Sequence, residues 1–565
     1  MKQQLRIQTA LGQRPADLLL KGGRIVDVFT GQIYTGDIAV CDGVIAGIGS
    51  YQKGLYTVHL EGRYVIPGLI NAHCHVESSM VVPEHYCREE LRHGVTTLVT
   101  DPHEIANVAG MAGIRYMLDA SENAPVNYYV QLPSCVPATP FEHAGAVLSA
   151  ADLLELQAHP RVLGLGEMMN YPGVTSCDPD VLAKLEAFSG QVIDGHAPGV
   201  SGAALQAYAC AGIATDHESV TWAEAREKLR AGMAVLVREG SASRNLTELI
   251  TGALADGVST GRMAFCTDDK HLADIRRDGT IRHNAAMAVA LGLPPVQAVQ
   301  MATFNAAQIY GLRRLGAVAP GYRADLVVLD DLDRFQVAQV YKDGRCVVRD
   351  GELLVAETPV SCPDAILHSV HLPACDAARF RLPQREEQPV LVVQPGQIVT
   401  RRTQIPSGDV EAEIAAGNLR KLAVVERHHA TGHIGVGLIQ GYGLRHGAVA
   451  TTVAHDSHNL IVAANNDDDL LLAVRTMEEM DGGYCLVQDG KVVGRLPLPV
   501  GGLMSAAPTE EFLPELERLL AQARAMGVTE GIDPFTTLSF VALPVIPEVR
   551  LTDLGMFDVT HFSFI

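Results

Sequence analysis

Six histidine and carboxylate side chains stand at the carboxyl ends of apolar segments, where they could bind metal ions. They are His73, His75, Glu167, His196, His217 and Asp268. In a strand, residues i and i+2 point to the same side about 6.6 Å apart, so His73 and His75 could share one cation. A single histidine after an apolar run is more often a core residue than a ligand, but six such residues in this order indicate a metal site.

The ligand types indicate which metals and which chemistry to expect. Imidazole and carboxylate groups suit Zn²⁺, Fe²⁺ and Mn²⁺, and a carboxylate from a third strand can bridge two ions. A bound cation lowers the pKa of water from about 15.7 toward 7, which supplies hydroxide at neutral pH. The pattern therefore predicts metal-assisted hydrolysis.

The elements that would hold these side chains alternate between short apolar runs and amphipathic stretches. Eight such units lie between Ile66 and Leu312, and the helical stretches include residues 84–93, 110–121 and 222–231. This alternation is typical of a (β/α)8 barrel, although doubly wound sheets share it. A barrel brings the carboxyl ends of all its strands to one face, and an open sheet would scatter them. We therefore predict an α/β fold with a (β/α)8 metallo-hydrolase barrel.

The flanks of the barrel predict two further folded units. Strand-like segments separated by Gly-Gly and Asp-Gly pairs precede the barrel, and similar segments follow it at residues 324–330 and 340–347. These predict a composite β-sandwich domain from residues 1–65 plus 313–360, with the barrel at 66–312. A connector is expected at 361–389, and an additional C-terminal α+β domain at 390–565, with helices near 467–480 and 509–526.

Composition limits the classes of partner and compartment. The 565 residues include 65 acidic and 44 basic side chains, which gives a net charge of −21. Such a chain repels nucleic-acid backbones and anionic membranes, so we expect neither as a partner. Eleven cysteines without a CxxC motif, no signal peptide and no apolar run long enough to cross a membrane indicate a cytoplasmic protein.

Several known motifs are missing from the sequence. The cysteine-liganded zinc deaminases need a PCxxC motif, and none is present. His103-Glu104 does not continue to HExxH, so a zincin is not supported. Neither a P-loop nor a complete dinucleotide-binding glycine motif occurs, so no redox or nucleoside triphosphate chemistry is implied.

Longer motifs place the chain near a known family. The barrel segments NAHCHVESS, TDPHEIANV, ATDHES, EGSASRNL and FCTDDK begin at residues 71, 100, 214, 239 and 265, and GxRADLVVLD spans 321–330. The last domain adds LRHGAVATTVAHDSHNL at 444–460 and PVGGLMS at 499–505. From about residue 17 to the end, the sequence resembles the adenine deaminase family of the amidohydrolase superfamily.

The resemblance implies a function and a ligand set. It implies hydrolysis of adenine to hypoxanthine and ammonia in purine salvage, with two divalent metal ions per chain. One ion would lie on His73, His75 and Asp268, the other on His196 and His217, with Glu167 bridging them. Mn²⁺ is the expected metal, with Fe²⁺ or Zn²⁺ as alternatives, and a homo-oligomer, in the simplest case a dimer, is expected. Because Glu167 stands where many relatives carry a carbamylated lysine, a hydantoinase or dihydroorotase is disfavoured.

Catalytic roles are assigned to two carboxylates. Attack of water at C6 of adenine needs a base for the water proton and an acid for ring N1. Asp268 is the candidate proton shuttle beside the nucleophile, and Glu218 is the candidate donor toward N1. Glu218 could equally be a carboxylate that only orients the neighbouring His217.

Further residues are candidates for substrate contacts. They are Glu77, His103, Glu104, Arg244, Asn245, His455, Asp456 and His458. Glu77 would share the side of His75 if the strand stayed extended, and it could support the metal ligands instead. His103 and Glu104 could reach the barrel mouth or cap the next helix. The segment 455–458 could close over that mouth, contact another subunit or form only a hydrogen-bonded turn.

Two other functions remain open from the sequence. The first is another amidohydrolase reaction, such as opening a cyclic amide or removing an acetyl group. The second is a non-catalytic metal-binding scaffold, although a scaffold would have no need of all six ligand-type residues.

Overall fold

The computed structural model describes residues 2–357, 360–397 and 399–565. Residues 358–359 and 398, which fall in the predicted β-domain and C-terminal domain, lie outside the described residues. The first elements are α1 (Lys2–Ala10), β1 (Ala16–Asp27), β2 (Gln32–Cys41), β3 (Val44–Gly49), β4 (Gly54–His59) and β5 (Tyr64–Pro67). Asp42 and Gly43 join β2 to β3 with φ values of 50° and 69°. Positive φ at both central residues is the requirement of a tight type I′ hairpin, which explains the Asp-Gly pair.

Eight parallel strands follow and form the barrel. One additional strand of only two residues lies at the seam where the barrel closes. They are β6 (Leu69–His75), β7 (Val95–Thr100), β8 (Asn127–Leu132), β9 (Val162–Met168), β10 (Val192–Gly195), β11 (Thr215–Asp216), β12 (Ala234–Arg238), β13 (Met263–Cys266) and the seam pair β14 (Asp268–Asp269). Two parallel sheets, β14-β6-β7-β8-β9-β10 and β11-β12-β13, make up the wall. They meet where the Ala214 N–H donates to the Ile193 carbonyl at 2.8 Å, and where the Thr267 N–H donates to the His73 carbonyl at 3.2 Å.

Helices connect the barrel strands on the outside, as the alternating pattern predicts. They are α2 (Pro83–Arg92), α3 (His103–Ala120), α4 (Ala150–Gln157), α5 (Tyr171–Ser176), α6 (Pro179–Ala187), α7 (Gly202–Cys210), α8 (Trp222–Arg230), α9 (Leu246–Asp256), α10 (Leu272–Asp278), α11 (Ile281–Ala290), α12 (Pro295–Ala302) and α13 (Phe304–Ile309). The helix predicted over 110–121 is the second half of α3. A break at Gly110, with φ 56° and ψ −138°, separates it from a first half that the sequence reading missed.

The chain then returns to the first sheet. The strands β15 (Leu326–Leu329), β16 (Val337–Lys342), β17 (Arg345–Arg349) and β18 (Glu352–Leu353) continue it in the order β18-β17-β16-β15-β5-β1-β2-β3, with β4 beside β1. Strand β15 pairs antiparallel with β5, so Val327 faces Ile66 across the two flanks of the barrel. The expectation of a β-domain built from both flanks is confirmed.

The last part of the chain forms a separate α+β domain, as expected. Its elements are β19 (Glu387–Val392), β20 (Arg401–Pro406), α14 (Val410–Ala416), β21 (Leu419–Val425), β22 (Ile434–Gln440), β23 (Ala448–Thr451), β24 (Leu460–Ala464), α15 (Asp467–Glu479), β25 (Gly483–Gln488), β26 (Lys491–Pro497), α16 (Thr509–Ala525), α17 (Thr536–Val541), β27 (Val549–Thr552), β28 (Gly555–Asp558) and β29 (Ser563–Phe564). The main sheet has the order β20-β19-β22-β21-β24-β23-β25-β26. Both predicted helices, α15 and α16, are present.

This domain packs on the barrel face where the strands end. The Ser505 N–H donates to the Met80 carbonyl at 2.8 Å, just after β6. Gly501, at φ 68°, comes so close to the start of α3 that a Cβ there would lie 2.3 Å from Cδ1 of Ile105. A side chain at this position would therefore displace the side chain of Ile105 and strain the backbone. Among the described residues, no helix has the length and apolar character needed to cross a lipid bilayer.

Candidate metal centre and active site

The six predicted ligands meet at the carboxyl ends of the barrel strands. His73 and His75 end β6, Glu167 lies near the end of β9, and the set is completed by three residues at or directly after later strands, His196, His217 and Asp268. Five of the six are buried, and the side chain of His196 is 21% exposed. Residues that are up to 195 positions apart in sequence (73 to 268) therefore share one site, because parallel strands of a barrel end at the same face.

Glu167 occupies the middle of the cluster. Its Oε1 lies 3.3 Å from Nε2 of His75 and 3.8 Å from Nε2 of His73. Its Oε2 lies 2.6 Å from Nδ1 of His196 and 3.2 Å from Nε2 of His217. One carboxylate thus faces a pair of imidazoles with each of its oxygens, which is the arrangement that a bridging ligand requires.

Asp268 adds the second carboxylate on the side of His75. Its Oδ1 lies 3.1 Å from Nε2 of His75 and 3.8 Å from Nε2 of His73. Three groups of potential ligand atoms, each lying within 4.8 Å of one another, overlap here: His73-His75-Glu167, Glu167-His196-His217 and His73-His217-Asp268. The first two groups share Glu167.

The hydrogen bonding of the cluster fits a metal centre. Nδ1 of His73 and both ring nitrogens of His217 are buried and have no hydrogen-bond partner among the described residues. Unpaired buried nitrogens are costly, and a cation would satisfy those that face the cluster. Although burial alone would raise the pKa of Glu167, the charges of His217 and His196 hold it well below its ordinary value. The carboxylate is therefore ionised, as a metal ligand must be.

Asp101, directly after β7, supports two of the ligands, and the sequence reading missed it. Its Oδ2 accepts a hydrogen bond from the Glu167 N–H at 2.8 Å, and its carbonyl oxygen lies 2.9 Å from Nδ1 of His75. When Nδ1 of His75 donates to that carbonyl, Nε2 is left with its lone pair toward the cluster. A Cβ on Gly166 would lie 2.2 Å from Oδ2 of Asp101, so this close approach requires glycine.

Arg238, the last residue of β12, holds both candidate catalytic carboxylates. Its Nη1 donates to Oδ2 of Asp268 at 2.8 Å, and its Nη2 donates to Oε2 of Glu218 at 2.9 Å. Nε donates to Oδ1 of Asn245 at 2.8 Å. Asn245 therefore orients Arg238. The side chain of Arg244 is 56% exposed, and its Nε lies 4.0 Å from Oε1 of Glu239. The signal in the sequence that could have found Arg238 is its position as the single charged residue at the end of the apolar run AVLVR.

His103 and Glu104, in the first turn of α3, lie between the metal ligands and the C-terminal domain. Nδ1 of His103 lies 3.4 Å from Oε1 of Glu167, and its Nε2 lies 3.4 Å from Oε1 of Glu104. Although burial opposes it, the charges of His455 and His458 hold the pKa of Glu104 well below its ordinary value. Both residues thus reach the site, and neither caps the helix through its side chain.

The segment 455–458 of the C-terminal domain reaches the mouth of the barrel. Nδ1 of His455 lies 2.6 Å from Oε1 of Glu104, and Nε2 of His458 hydrogen-bonds to Oε2 of the same carboxylate. Asp456 is buried beside them, and its Oδ2 has no hydrogen-bond partner among the described residues. The segment is also a hydrogen-bonded turn, because the Ala454 N–H donates to Nδ1 of His458 at 3.0 Å. The segment therefore both forms a turn and contacts the barrel mouth, and a contact with another subunit stays a prediction.

Glu77 does not continue the strand of His75. The chain enters a 3₁₀ turn at Glu77–Ser79, so the assumption of an extended chain is wrong. Oε1 of Glu77 accepts a hydrogen bond from the Ile105 N–H at 3.2 Å, and Oε2 is buried without a partner among the described residues. The turn therefore places Glu77 against the first turns of α3.

Two family models and full-length relatives match this chain. Residues 64–347 match the amidohydrolase family, and residues 397–563 match the adenine deaminase C-terminal domain. The adenine deaminase 2 of Carboxydothermus hydrogenoformans is 48% identical over 563 residues, covering 99% of this chain and 98% of that protein. The adenine deaminase of Halalkalibacterium halodurans is 44% identical over 573 residues, covering 99% and 97%. The chain belongs to the adenine deaminase family of amidohydrolases.

A solved structure described as an adenine deaminase is also similar to this chain. The two align with a TM-score of 0.46 and 17% sequence identity, covering 59% of this chain and 99% of that one. Amidohydrolases use divalent metals, and this chain has candidate histidine and carboxylate sites for them.

Proposed function

We propose that this chain deaminates adenine, with water, to hypoxanthine and ammonia. The observation that carries the proposal is that relatives named adenine deaminase align with 99% of the chain, through both the barrel and the C-terminal domain. The contacts of Glu104 with His455 and His458 support it further, because they make the C-terminal domain part of the site.

Two divalent ions are proposed as cofactors. His73, His75 and Asp268 would hold one ion, His196 and His217 would hold the other, and Glu167 would bridge them. The central position of Glu167 and the overlapping ligand groups support this division. When bound, the ions would lower the pKa of a water molecule and so supply hydroxide at neutral pH. Mn²⁺ is the proposed metal, with Fe²⁺ and Zn²⁺ as the alternatives.

Asp268 and Glu218 are proposed to move the protons. In the overall reaction the C6–N bond breaks, one proton of water passes to ring N1 and the other leaves with the amino group as ammonia. Asp268 would take one proton from water and pass it to the leaving amino group, and Glu218 would take the other and deliver it to N1. Because Arg238 donates hydrogen bonds to both groups, it would hold them in place for these transfers.

The residues around the mouth are proposed to orient the base. Oδ2 of Asp456 and Nδ1 of His103 are buried and have no hydrogen-bond partner among the described residues. They suit the N–H and ring-nitrogen edge of a purine. Glu104, His455 and His458 would support these groups through the contacts described above. Glu77 would support the start of α3, Asn245 would support Arg238, and Arg244 stays a candidate.

The decisive experiment is a purine assay on metal-depleted protein. The protein would be reconstituted separately with Mn²⁺, Fe²⁺ and Zn²⁺, and adenine consumption would be followed by ultraviolet absorbance together with ammonia release. Activity with adenine in at least one metal form is expected, and activity should disappear on chelation. Turnover of a cyclic amide or an acetylated amino sugar without any adenine turnover would refute the proposal. Full metal loading without turnover of any of these substrates would favour a non-catalytic metal-binding scaffold.

A further inference from the structure

A second group of metal-ligating side chains lies at the seam between the barrel and the C-terminal domain. His143 belongs to the loop between β8 and α4, His433 directly precedes β22, and Asp553 lies in the turn between β27 and β28. A potential ligand atom from each residue lies within 4.8 Å of those of the other two. The group shares no residue with the centre around Glu167.

The contacts within this group join all three segments. The Asp553 carboxylate accepts a hydrogen bond from the His143 backbone N–H at 3.1 Å, and its Oδ2 lies 2.5 Å from Nδ1 of His143. The imidazole rings of His143 and His433 stack with their centroids 4.6 Å apart. The side chain of Asp553 is fully buried, that of His143 is 35% exposed, and His433 is exposed. The group is therefore anchored in the interior and open to solvent on one side.

The hydrogen bonds of His433 prepare one of its ring nitrogens for a metal. The Thr431 hydroxyl donates to Oε2 of Glu426 at 2.7 Å, so its single proton is already used. Its oxygen lies 3.0 Å from Nδ1 of His433 and can only accept there. Nδ1 of His433 thus carries the proton, and Nε2 keeps its lone pair. Metal-binding histidines commonly have this arrangement, in which the other ring nitrogen donates to an oxygen.

We propose that His143, His433 and Asp553 bind one divalent transition-metal ion that fastens the barrel loop to the C-terminal domain. Two imidazoles and one carboxylate suit Zn²⁺, Co²⁺ or Ni²⁺, with water completing the coordination on the exposed side. The ion takes the place of the hydrogen between Nδ1 of His143 and Oδ2 of Asp553, and the imidazole proton moves to Nε2 of His143.

The neighbouring contacts explain why such a clamp would matter. Glu142 accepts a hydrogen bond from the Ser457 hydroxyl at 2.7 Å, and Nδ2 of Asn459 donates to the His143 carbonyl at 2.8 Å. Ser457 lies within the segment 455–458 that reaches the mouth of the barrel. An ion on His143 therefore holds the same loop that contacts this segment. It stabilises the interface between the barrel and the C-terminal domain whether or not adenine is the substrate.

The test counts bound metal in matched variants of the full chain. Metal-depleted wild type, His433→Ala and His446→Ala would be titrated with Co²⁺, with the number bound measured by elemental analysis and by visible absorption. His446 is an exposed histidine of the same domain outside the group. His433→Ala should bind one Co²⁺ fewer per chain than the wild type, and His446→Ala should bind the same number. Equal numbers in wild type and His433→Ala would overturn the site.

Thermal unfolding tests the clamp separately. With the catalytic centre loaded first, additional Zn²⁺ should raise the Tm of wild type and His446→Ala but leave that of His433→Ala unchanged. Asp553→Asn should behave like His433→Ala if it folds. If it does not fold, the exposed His433 position still decides the outcome. A Co²⁺ ion lost in His433→Ala without any difference in the Zn²⁺-dependent Tm would overturn the clamping role.

Discussion

Glu104 of the barrel and His455 of the C-terminal domain lie 2.6 Å apart, from carboxylate Oε1 to ring Nδ1. The other oxygen of Glu104 accepts from His458, 354 positions away along the chain. His103 continues these contacts to Glu167, with 3.4 Å between Nδ1 and Oε1. The C-terminal domain is therefore connected to the middle of the cluster of candidate metal ligands through the buried side chains of His103 and Glu104, and we expect it to influence catalysis as well as stability.

Replacing His455 tests this connection. His455→Ala removes a charged partner from the buried Glu104, and a hydrogen bond to a charged group is worth about 1.5–3 kcal/mol. We expect kcat/KM for adenine to fall by about 10- to 100-fold while the metal content stays unchanged, because no proposed ligand is altered. Steady-state kinetics and elemental analysis would be compared with His446→Ala, an exposed histidine of the same domain. Wild-type kinetics in His455→Ala would show that the contact only holds the domains together.

Replacing Glu167 tests the bridging role. Glu167→Gln keeps the shape of the side chain but removes the charge that faces four imidazoles. We expect the variant to retain less than half of the metal and to lose activity by at least about 10³-fold, because its ligands can no longer neutralise two cations. Metal analysis after gel filtration is the measurement, and Glu186→Gln on the exposed face of α6 is the control. Full metal occupancy in Glu167→Gln would contradict the bridge.

Replacing Arg238 tests how the two proposed catalytic carboxylates are positioned. Arg238→Met removes the group that donates to both Asp268 and Glu218. We expect kcat to fall by about 10²-fold or more with a smaller change in KM, since the shuttle groups lose their orientation. Arg238→Lys keeps the charge but cannot make all these contacts at once, so it should recover only part of kcat.

The control for Arg238 is Arg230→Met, at an exposed position at the end of α8. It should keep wild-type kinetics. A fall in Tm with unchanged kcat in both Arg238 variants would mean that Arg238 is only structural.

Glu84 in α2 provides a pH-dependent prediction far from the metal cluster. Burial raises the pKa of Glu84 to about 7 from the ordinary 4.5. Between these two values the folded protein binds more protons than the unfolded chain, so Glu84 lowers the free energy of unfolding as the pH rises from about 4.5 to about 7. Glu84→Gln cannot ionise and should remove this loss.

The measurement for Glu84 is urea unfolding of the metal-loaded protein at pH 5 and pH 8. Relative to wild type, Glu84→Gln should gain about 1–2 kcal/mol more stability at pH 8 than at pH 5. Glu511→Gln, an exposed acid in the first turn of α16, should show no such difference. The same relative stability of Glu84→Gln at both pH values would exclude the effect.

Much of the fold and the ligand set could be predicted from local sequence. His73 and His75 follow an apolar run at a spacing of two, and Asp42-Gly43 marks a hairpin, because strand and turn geometry are properties of neighbouring residues. That Glu167 and Asp268 would join these histidines followed from one further rule, namely that parallel strands of a barrel end at the same face.

Only the tertiary structure decided the contacts that depend on how distant segments pack. Arg238 ends an apolar run in the sequence, but only the fold places it between Glu218 and Asp268. The sequence around Glu104 does not predict its contact with His455, because that contact exists only when the C-terminal domain packs on the barrel. Periodicity reports which side of its own strand or helix a residue occupies. The partner across a domain boundary depends on the summed packing of both domains, and no local pattern contains that information.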